Sequence, residues 1–435
     1  MIMEDITTTI QYYSARRDKL LNLIDNNSVV ILPGNDEVTR NGDAHYSFRQ
    51  SSNFYYLTGF NEPNSLAILL KTDGGNKFIM FVRPKDPLKE QWDGEIAGVD
   101  GARDVHQADE SYDINDLEDK IIDILAGKNK IYYSLGCSTK YDSLVVKWLE
   151  QVKALQRKGV NAPSDIVNLD NILAEMRLFK DEYEQETMRR AAEISAAGHK
   201  LAMQKSKDCK HEYELEAEFR YELMKHGARK TAYTSIVGAG KNSCILHYVD
   251  NNKSVNGDDL VLIDAGAEYC NYAADITRTF PANGKFTEEQ RLIYELVLKS
   301  QLAAIEEVKP GNTWDRMQEV ILDIITAGLV DLGLIQNPDN LSIEELIKQE
   351  KYMPFYMHKS GHWIGLDVHD VGSYKLDDKW RELKPGMVLT VEPGIYIMPN
   401  MPDVDPKWWN IGVRIEDDIL VTEYGRDILS KDVPK

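Results

Sequence analysis

Cysteine is scarce and scattered in this 435-residue chain: Cys137, Cys209, Cys244 and Cys270 are the only four, and no two form a C-x-x-C pair. That spacing offers neither a disulfide framework nor a thiolate zinc site, and it fits a reducing cytoplasm. Basic residues are also short, 51 Lys and Arg against 71 Asp and Glu, for a formal net charge of −20. So acidic a surface repels nucleic acid and anionic membranes, and neither is expected as a main partner. Long apolar runs are missing too, none approaching the ~20 residues of a membrane span. The opening residues Met1-Ile2-Met3-Glu4-Asp5 lack the basic and apolar regions of a signal peptide, so a soluble, cytoplasmic protein is expected. The chain has no G-x-S-x-G elbow and no H-E-x-x-H helix, so serine-hydrolase and zincin chemistry lack their local signatures.

What is present reads as a globular chain, 43% hydrophobic and 28% charged. At roughly 150 residues per domain, two or three domains are expected. Residues 13–160 read as α/β. A helical stretch from Tyr13 to Ile24 leads into the apolar run Ser28-Val29-Val30-Ile31-Leu32, and further short runs follow at 65–70, 77–82 and 130–134. Such alternation suggests a sheet with crossover helices. Residues 155–180 read as a connection, and Asp181 to about Gln204 as a long exposed helix. The second half interleaves helical patterns at 211–226, 287–308 and 313–333 with strand-like runs at 259–264, 272–280, 387–392 and 412–421. Short glycine-containing turns between several of these runs favour antiparallel pairing and an α+β layout.

The chemistry concentrates in this second half. The run Leu260-Val261-Leu262-Ile263 ends in Asp264, and a short turn leads to Asp275 before Ile276-Thr277-Arg278. A hairpin of that length can set two carboxylates side by side, which then require a proton or a cation between them. Taken singly, the plainer reading is two strand-end aspartates facing water. Glu392 ends the apolar run Met387–Val391, where burial without a partner is unfavourable; a surface strand end beside Pro393-Gly394 serves equally well. In Gly412-Val413-Arg414-Ile415-Glu416, strand alternation sets Arg414 and Glu416 on one face, which alone reads as an exposed pair. His358, His362 and His369 fall within twelve residues, and His247 precedes the first aspartate strand. Imidazole is the commonest side-chain metal ligand and titrates near neutrality. Four carboxylates with one imidazole suit paired Mn²⁺, Co²⁺ or Zn²⁺ better than a structural zinc, and such pairs hydrolyse amides or phosphoesters. Gly238-Ala239-Gly240-Lys241-Asn242 resembles a phosphate loop but lacks the Ser/Thr and the first Gly, and reads as a turn.

The order Asp264, Asp275, His362, Glu392, Glu416 resembles the five-ligand site of the pita-bread metallopeptidases. The segments His362-Trp363-Ile364-Gly365-Leu366-Asp367-Val368-His369-Asp370, Thr390–Tyr396 and Gly412–Asp418 are similar to those of the Xaa-Pro aminopeptidase (aminopeptidase P) family, and Phe54–Pro63 to that family's creatinase-like N-domain. The resemblance spans nearly the whole chain. It implies an α/β creatinase-like domain over residues 1–174 and an α+β pita-bread catalytic domain over 175–435. It further implies two divalent ions, manganese first and Co²⁺ or Zn²⁺ otherwise. Asp264 would hold one ion, His362 and Glu392 the other, with Asp275 and Glu416 bridging.

In the same reading Glu392 takes a proton from the attacking water, His247, His358 and His369 line the cleft and move protons, and Arg414 fixes the site beside Glu416. Trp92 is the candidate for a cleft tryptophan donated by a neighbouring subunit. The implied substrates are peptides with proline in second place. The implied assembly is a homo-oligomer, dimer or tetramer, in which the N-domain restricts access. Lys359-Ser360 departs from the Gly-apolar pair usual after the first cleft histidine, and Trp363 favours aminopeptidase P over prolidase, the near relative that cleaves Xaa-Pro dipeptides. A non-catalytic peptide-binding module and creatinase-type hydrolysis are disfavoured because all five ligand positions are filled.

Overall fold

The structure, a computed structural model, describes residues 6–435, with side chains from residue 9 onward. Residues 1–5, which bear on a signal peptide, lie outside the described residues. Among those described, no helix is long and apolar enough to cross a membrane. The described residues divide into two compact units, one ending at Met176 and the other running from Arg177 to Lys435.

The first unit is built on a six-stranded mixed sheet. Its spatial order is Glu110–Asp113, Gly75–Val82, Leu66–Thr72, Ser28–Pro33, Lys130–Tyr133, Asp165–Asn168. The three strands at one end of that order pair in parallel, as crossover helices require, while Leu66–Thr72 and Gly75–Val82 form a tight antiparallel hairpin. Strand alternation gives both faces apolar residues. Val29, Ile31, Ile68 and Phe81 pack with Ile121, Val145 and Trp148 from the helices Leu117–Leu125 and Thr139–Ala154. Val30, Leu69 and Met80 on the opposite face are buried too. Residues 155–180 are more than a connection, since they supply the edge strand Asp165–Asn168 and the helix Asp170–Leu178.

In the second unit every strand pairing is antiparallel among the described residues. Long helices cover the strands, and side-chain boxes cap two of them: Asp181 with Glu184 starts Glu182–Lys205, and Thr287 with Gln290 starts Glu288–Glu307. The first of these helices is not the exposed rod its composition suggests. Its Ala191, Ala192, Ile194 and Ala202 are buried, and Gly198 lies so close to Phe219 that a Cβ there would come within 2.7 Å of the ring. Small residues allow that close approach between helices.

Two of the expected strand runs break in the middle. Residues 272–280 divide into Tyr272–Ala273 and Thr277–Pro281, and residues 412–421 into Ile411–Arg414 and Asp417–Thr422. Asp275 and Glu416 sit in the two breaks. A residue outside the ladder is free to aim its side chain off the sheet's regular alternation. The Gly238–Asn242 segment is the end of a strand and a 3₁₀ turn, Gly240–Cys244.

Candidate active site

Two close backbone approaches assemble the carboxylates. Gly266 lies against Ala274, so that a Cβ at 266 would stand 1.7 Å from the Ala274 carbonyl oxygen. Only glycine permits this hairpin to close, and closure sets Asp264 beside Asp275. On the other side, the segment 360–362 runs along 390–392. The Thr390 amide donates to the His362 carbonyl at 2.9 Å and the Glu392 amide to the Ser360 carbonyl at 2.8 Å. Gly361 makes that contact feasible, because a Cβ there would lie 2.0 Å from the Thr390 oxygen. The two breaks are tied together as well. The Glu416 amide donates to the Thr277 carbonyl at 3.1 Å, the Thr277 hydroxyl to the Glu416 carboxylate at 2.7 Å, and the Asp275 amide to the Asp418 carboxylate at 3.0 Å.

The result is one cavity of about 700 Å³ whose lining includes Asp264, Asp275, His362, Glu392 and Glu416. Asp275, His362 and Glu416 each place a donor atom within 4.8 Å of the others. His362 Nε2 stands 3.3 Å from Asp275 and 3.8 Å from Glu392, while its Nδ1 lies 3.0 Å from the Trp363 carbonyl. That bond engages Nδ1 and turns Nε2 toward the carboxylates. Asp264 is joined to Asp275 through Tyr233, whose hydroxyl reaches the two carboxylates at 2.6 and 2.5 Å. Arg414 reaches Asp264 at 2.6 Å, the Tyr396 hydroxyl at 2.9 Å and Thr277 at 3.2 Å.

Burial sets the electrostatics. It raises Glu416 well above the usual carboxylate range, with the charges of Asp275, Glu392 and Asp264 adding to the effect. Burial likewise lifts Glu392 to about 7, and it raises Asp264 despite Arg414. For Asp275 and His362 burial is outweighed by their mutual contact, which lowers the aspartate and lifts the imidazole to about 9. Four buried carboxylates facing one space repel one another, and a cation between them relieves that repulsion. The donor set, oxygen-rich with one oriented imidazole, therefore fits divalent ions.

His247, His358 and His369 line the same cavity. Burial, aided by Arg414, lowers His358 to about 4. It is a neutral ring 2.8 Å from the Tyr396 hydroxyl and 3.8 Å from Glu392. His369 meets the His362 ring edge to face at 4.3 Å. Trp92 lies in the other unit, 88% exposed on the helix Pro87–Asp93.

Residues 186–423 match metallopeptidase family M24, and residues 13–132 match the aminopeptidase P N-terminal domain. The Xaa-Pro aminopeptidase of Haemophilus influenzae is 46% identical over 97% of this chain and 94% of its own length, and that of Escherichia coli 41% identical over 98% and 95%. Among solved structures, the aminopeptidase PepP of Pseudomonas aeruginosa superposes with a TM-score of 0.95 at 44% identity, covering 98% of this chain and 96% of that one. The zinc-substituted Escherichia coli aminopeptidase P in complex with product gives 0.94 at 41% identity, covering 98% and 96%. The chain belongs to the Xaa-Pro aminopeptidases of metallopeptidase family M24. Its fold is accordingly an aminopeptidase P N-terminal domain followed by a pita-bread metallopeptidase domain.

Several polar residues of this aminopeptidase site escape a reading by motif. Tyr233, in Thr231-Ala232-Tyr233-Thr234, has no local signature at all. Tyr396 ends the Thr390–Tyr396 segment with nothing local to mark its role, yet its hydroxyl joins Arg414 to His358. Asp370, next to His369, is buried against Arg177 and, at 3.0 Å, Lys180, anchoring the histidine loop from residues nearly two hundred positions away.

Proposed function

We propose that the protein is a dinuclear-metal aminopeptidase that hydrolyses the bond between an N-terminal residue and a proline in second position. A bond before proline is a tertiary amide with no N–H and a constrained ring, which general peptidases handle poorly. Asp264, Asp275, His362, Glu392 and Glu416 would hold the ions. When bound, divalent cations supply Lewis acidity and bring the acidity of water toward neutrality. The chain's own groups do the rest. Glu392, set on the cavity beside His358 and His362, would accept a proton from the attacking water. The leaving proline nitrogen must gain a proton, and His247, His358 and His369, which line the cavity, would relay it. Arg414 neutralises Asp264 and, through Tyr396, sets His358 in place.

The observation that supports this reading most is the convergence of two aspartates, two glutamates and one histidine from four separate segments on a single cavity. We further propose manganese as the native metal, a cytoplasmic location, and a homo-oligomer, dimer or tetramer, to whose neighbouring cleft Trp92 contributes. The domains are residues 1–174 and 175–435, and the catalytic residues Glu392, His247, His358, His369 and Arg414.

The test is hydrolysis of Arg-Pro-Pro against Arg-Pro by metal-stripped protein, with and without added Mn²⁺, Co²⁺ or Zn²⁺. Metal-dependent release of arginine from the tripeptide is expected, with Mn²⁺ most active. Cleavage of the dipeptide alone would make the enzyme a prolidase, and no hydrolysis with metal bound would make it a binding module. Glu392→Gln should remove most turnover with the fold intact; near-normal activity would remove Glu392 from its role.

A further inference from the structure

The cavity is electrically divided. Its floor is acidic and buried, with Asp264, Asp275 and Glu416 exposed by only 8%, 5% and 1%. Lys359 and Lys375 line the same cavity but are less buried than that floor, as is Trp380. Lys359 directly follows the cleft histidine His358. Lys375 belongs to the small antiparallel hairpin of Lys375–Leu376 with Lys379–Trp380, where its Nζ stands 4.5 Å above the Trp380 ring. Among the described residues neither ammonium has an ion pair, in a chain whose acidic residues outnumber its basic ones by 71 to 51. The rim therefore carries two unspent cations above an acidic floor.

The direction of the substrate follows from the reaction class. An enzyme that removes one N-terminal residue holds the scissile bond at the floor, and the rest of the peptide runs outward. The rim then faces the positions after proline. Cations beside an aromatic wall raise the local concentration of anionic chains and stabilise them on arrival.

We propose that Lys359 and Lys375 form an anion-selecting rim that favours peptides bearing a carboxylate just downstream of the proline. This rests on the Xaa-Pro aminopeptidase reading and narrows its substrate class. The carboxylate is either an acidic side chain or the free C-terminus of a short peptide; both present the same group to the same two lysines.

The experiment measures kcat/KM of the full-length, Mn²⁺-loaded protein on Arg-Pro-Glu-Ala-amide, Arg-Pro-Ala-Ala-amide and Arg-Pro-Lys-Ala-amide. A second arm compares Arg-Pro-Ala as free acid and as amide. Both arms are run at low and at about 0.5 M salt, for the natural protein and for Lys359→Gln/Lys375→Gln. At low salt an advantage of about fivefold is expected for the carboxylate-bearing peptide of at least one pair, as two exposed charge pairs supply. It should fall below about twofold at high salt and in the double variant. Preference in the amide series alone assigns the contact to a side chain, and preference in the second arm alone to the C-terminus. Equal rates across both arms overturn the proposal, as does a preference that survives the double substitution, including one preserved through a uniform loss of activity. If the neutral tetrapeptide amide is not cleaved at all, the Xaa-Pro reading itself fails and the rim with it; cleavage without charge preference removes the rim alone.

Discussion

The guanidinium of Arg414 lies 2.6 Å from the carboxylate of Asp264, with both groups buried. Removing one partner of such a pair strands the other charge, at a cost of about 3–5 kcal/mol. Arg414→Met is therefore expected to lower the urea-unfolding free energy by that amount in chelator. Arg414→Lys should recover only part, because an ammonium cannot span Asp264, Tyr396 and Thr277 as the fork does. A Met variant within about 1 kcal/mol of the natural protein would show that the pair contributes no such stability.

Tyr233 shares one hydroxyl between Asp264 and Asp275. Tyr233→Phe keeps the ring and its packing but removes the one hydroxyl that ties the two carboxylates to each other. Metal affinity should weaken by about 10–100-fold, as for other groups that orient ligands, while the melting temperature of the stripped protein changes little. Titration calorimetry with Mn²⁺ measures this directly. Unaltered affinity would mean the aspartates are oriented by other contacts.

Gly361→Ala introduces a Cβ 2.0 Å from the Thr390 oxygen, on the contact that holds His362 beside Glu392. The two segments must part, costing about 1–3 kcal/mol and loosening the metal site. Gly257 has open space around the same atom position, so Gly257→Ala is the control and should stay within about 0.5 kcal/mol. Equal stabilities for the two variants would show that the backbone accommodates the methyl group freely.

His199 is fully buried, and burial pushes it down to about 4 while it stays 2.9 Å from the Ala265 carbonyl. The unfolded chain takes up this proton as pH falls below about 6.5, and the folded chain does so only near 4. The stability this group contributes is therefore full above pH 6.5 and declines as pH falls toward 4, by about 3 kcal/mol across the whole window. Urea midpoints at pH 7.5 and 5 should converge more closely in His199→Gln than in the natural protein. An unchanged acid loss in the variant would assign the pH dependence to other groups.

The ends of the apolar runs are legible in the amino-acid sequence alone. Asp264 and Glu392 each follow several buried β-formers, a local pattern that survives folding because burial and strand propensity depend on neighbours in the chain. The three histidines are legible through their spacing, whereas the order of the five candidate ligands is legible only through the family resemblance. Composition misjudges the helix Glu182–Lys205, because its small residues signal helix propensity without saying what packs against them.

Other features depend on distance in the chain rather than pattern within it. Asp275 and Glu416 occupy breaks in their strands, and nothing local announces a break that pairing across the fold imposes. Tyr233 meets partners 31 and 42 residues away, and Lys180 meets Asp370 across 190. Lys359 is marked in the sequence by following the first cleft histidine, but Lys375 has no local signature until the fold sets both on the wall of an acidic cavity. The chain's own pattern thus specified which groups were available for chemistry. Long-range packing determined which of them share one space, because only contacts between distant segments can bury a carboxylate beside another and leave a lysine facing them unpaired.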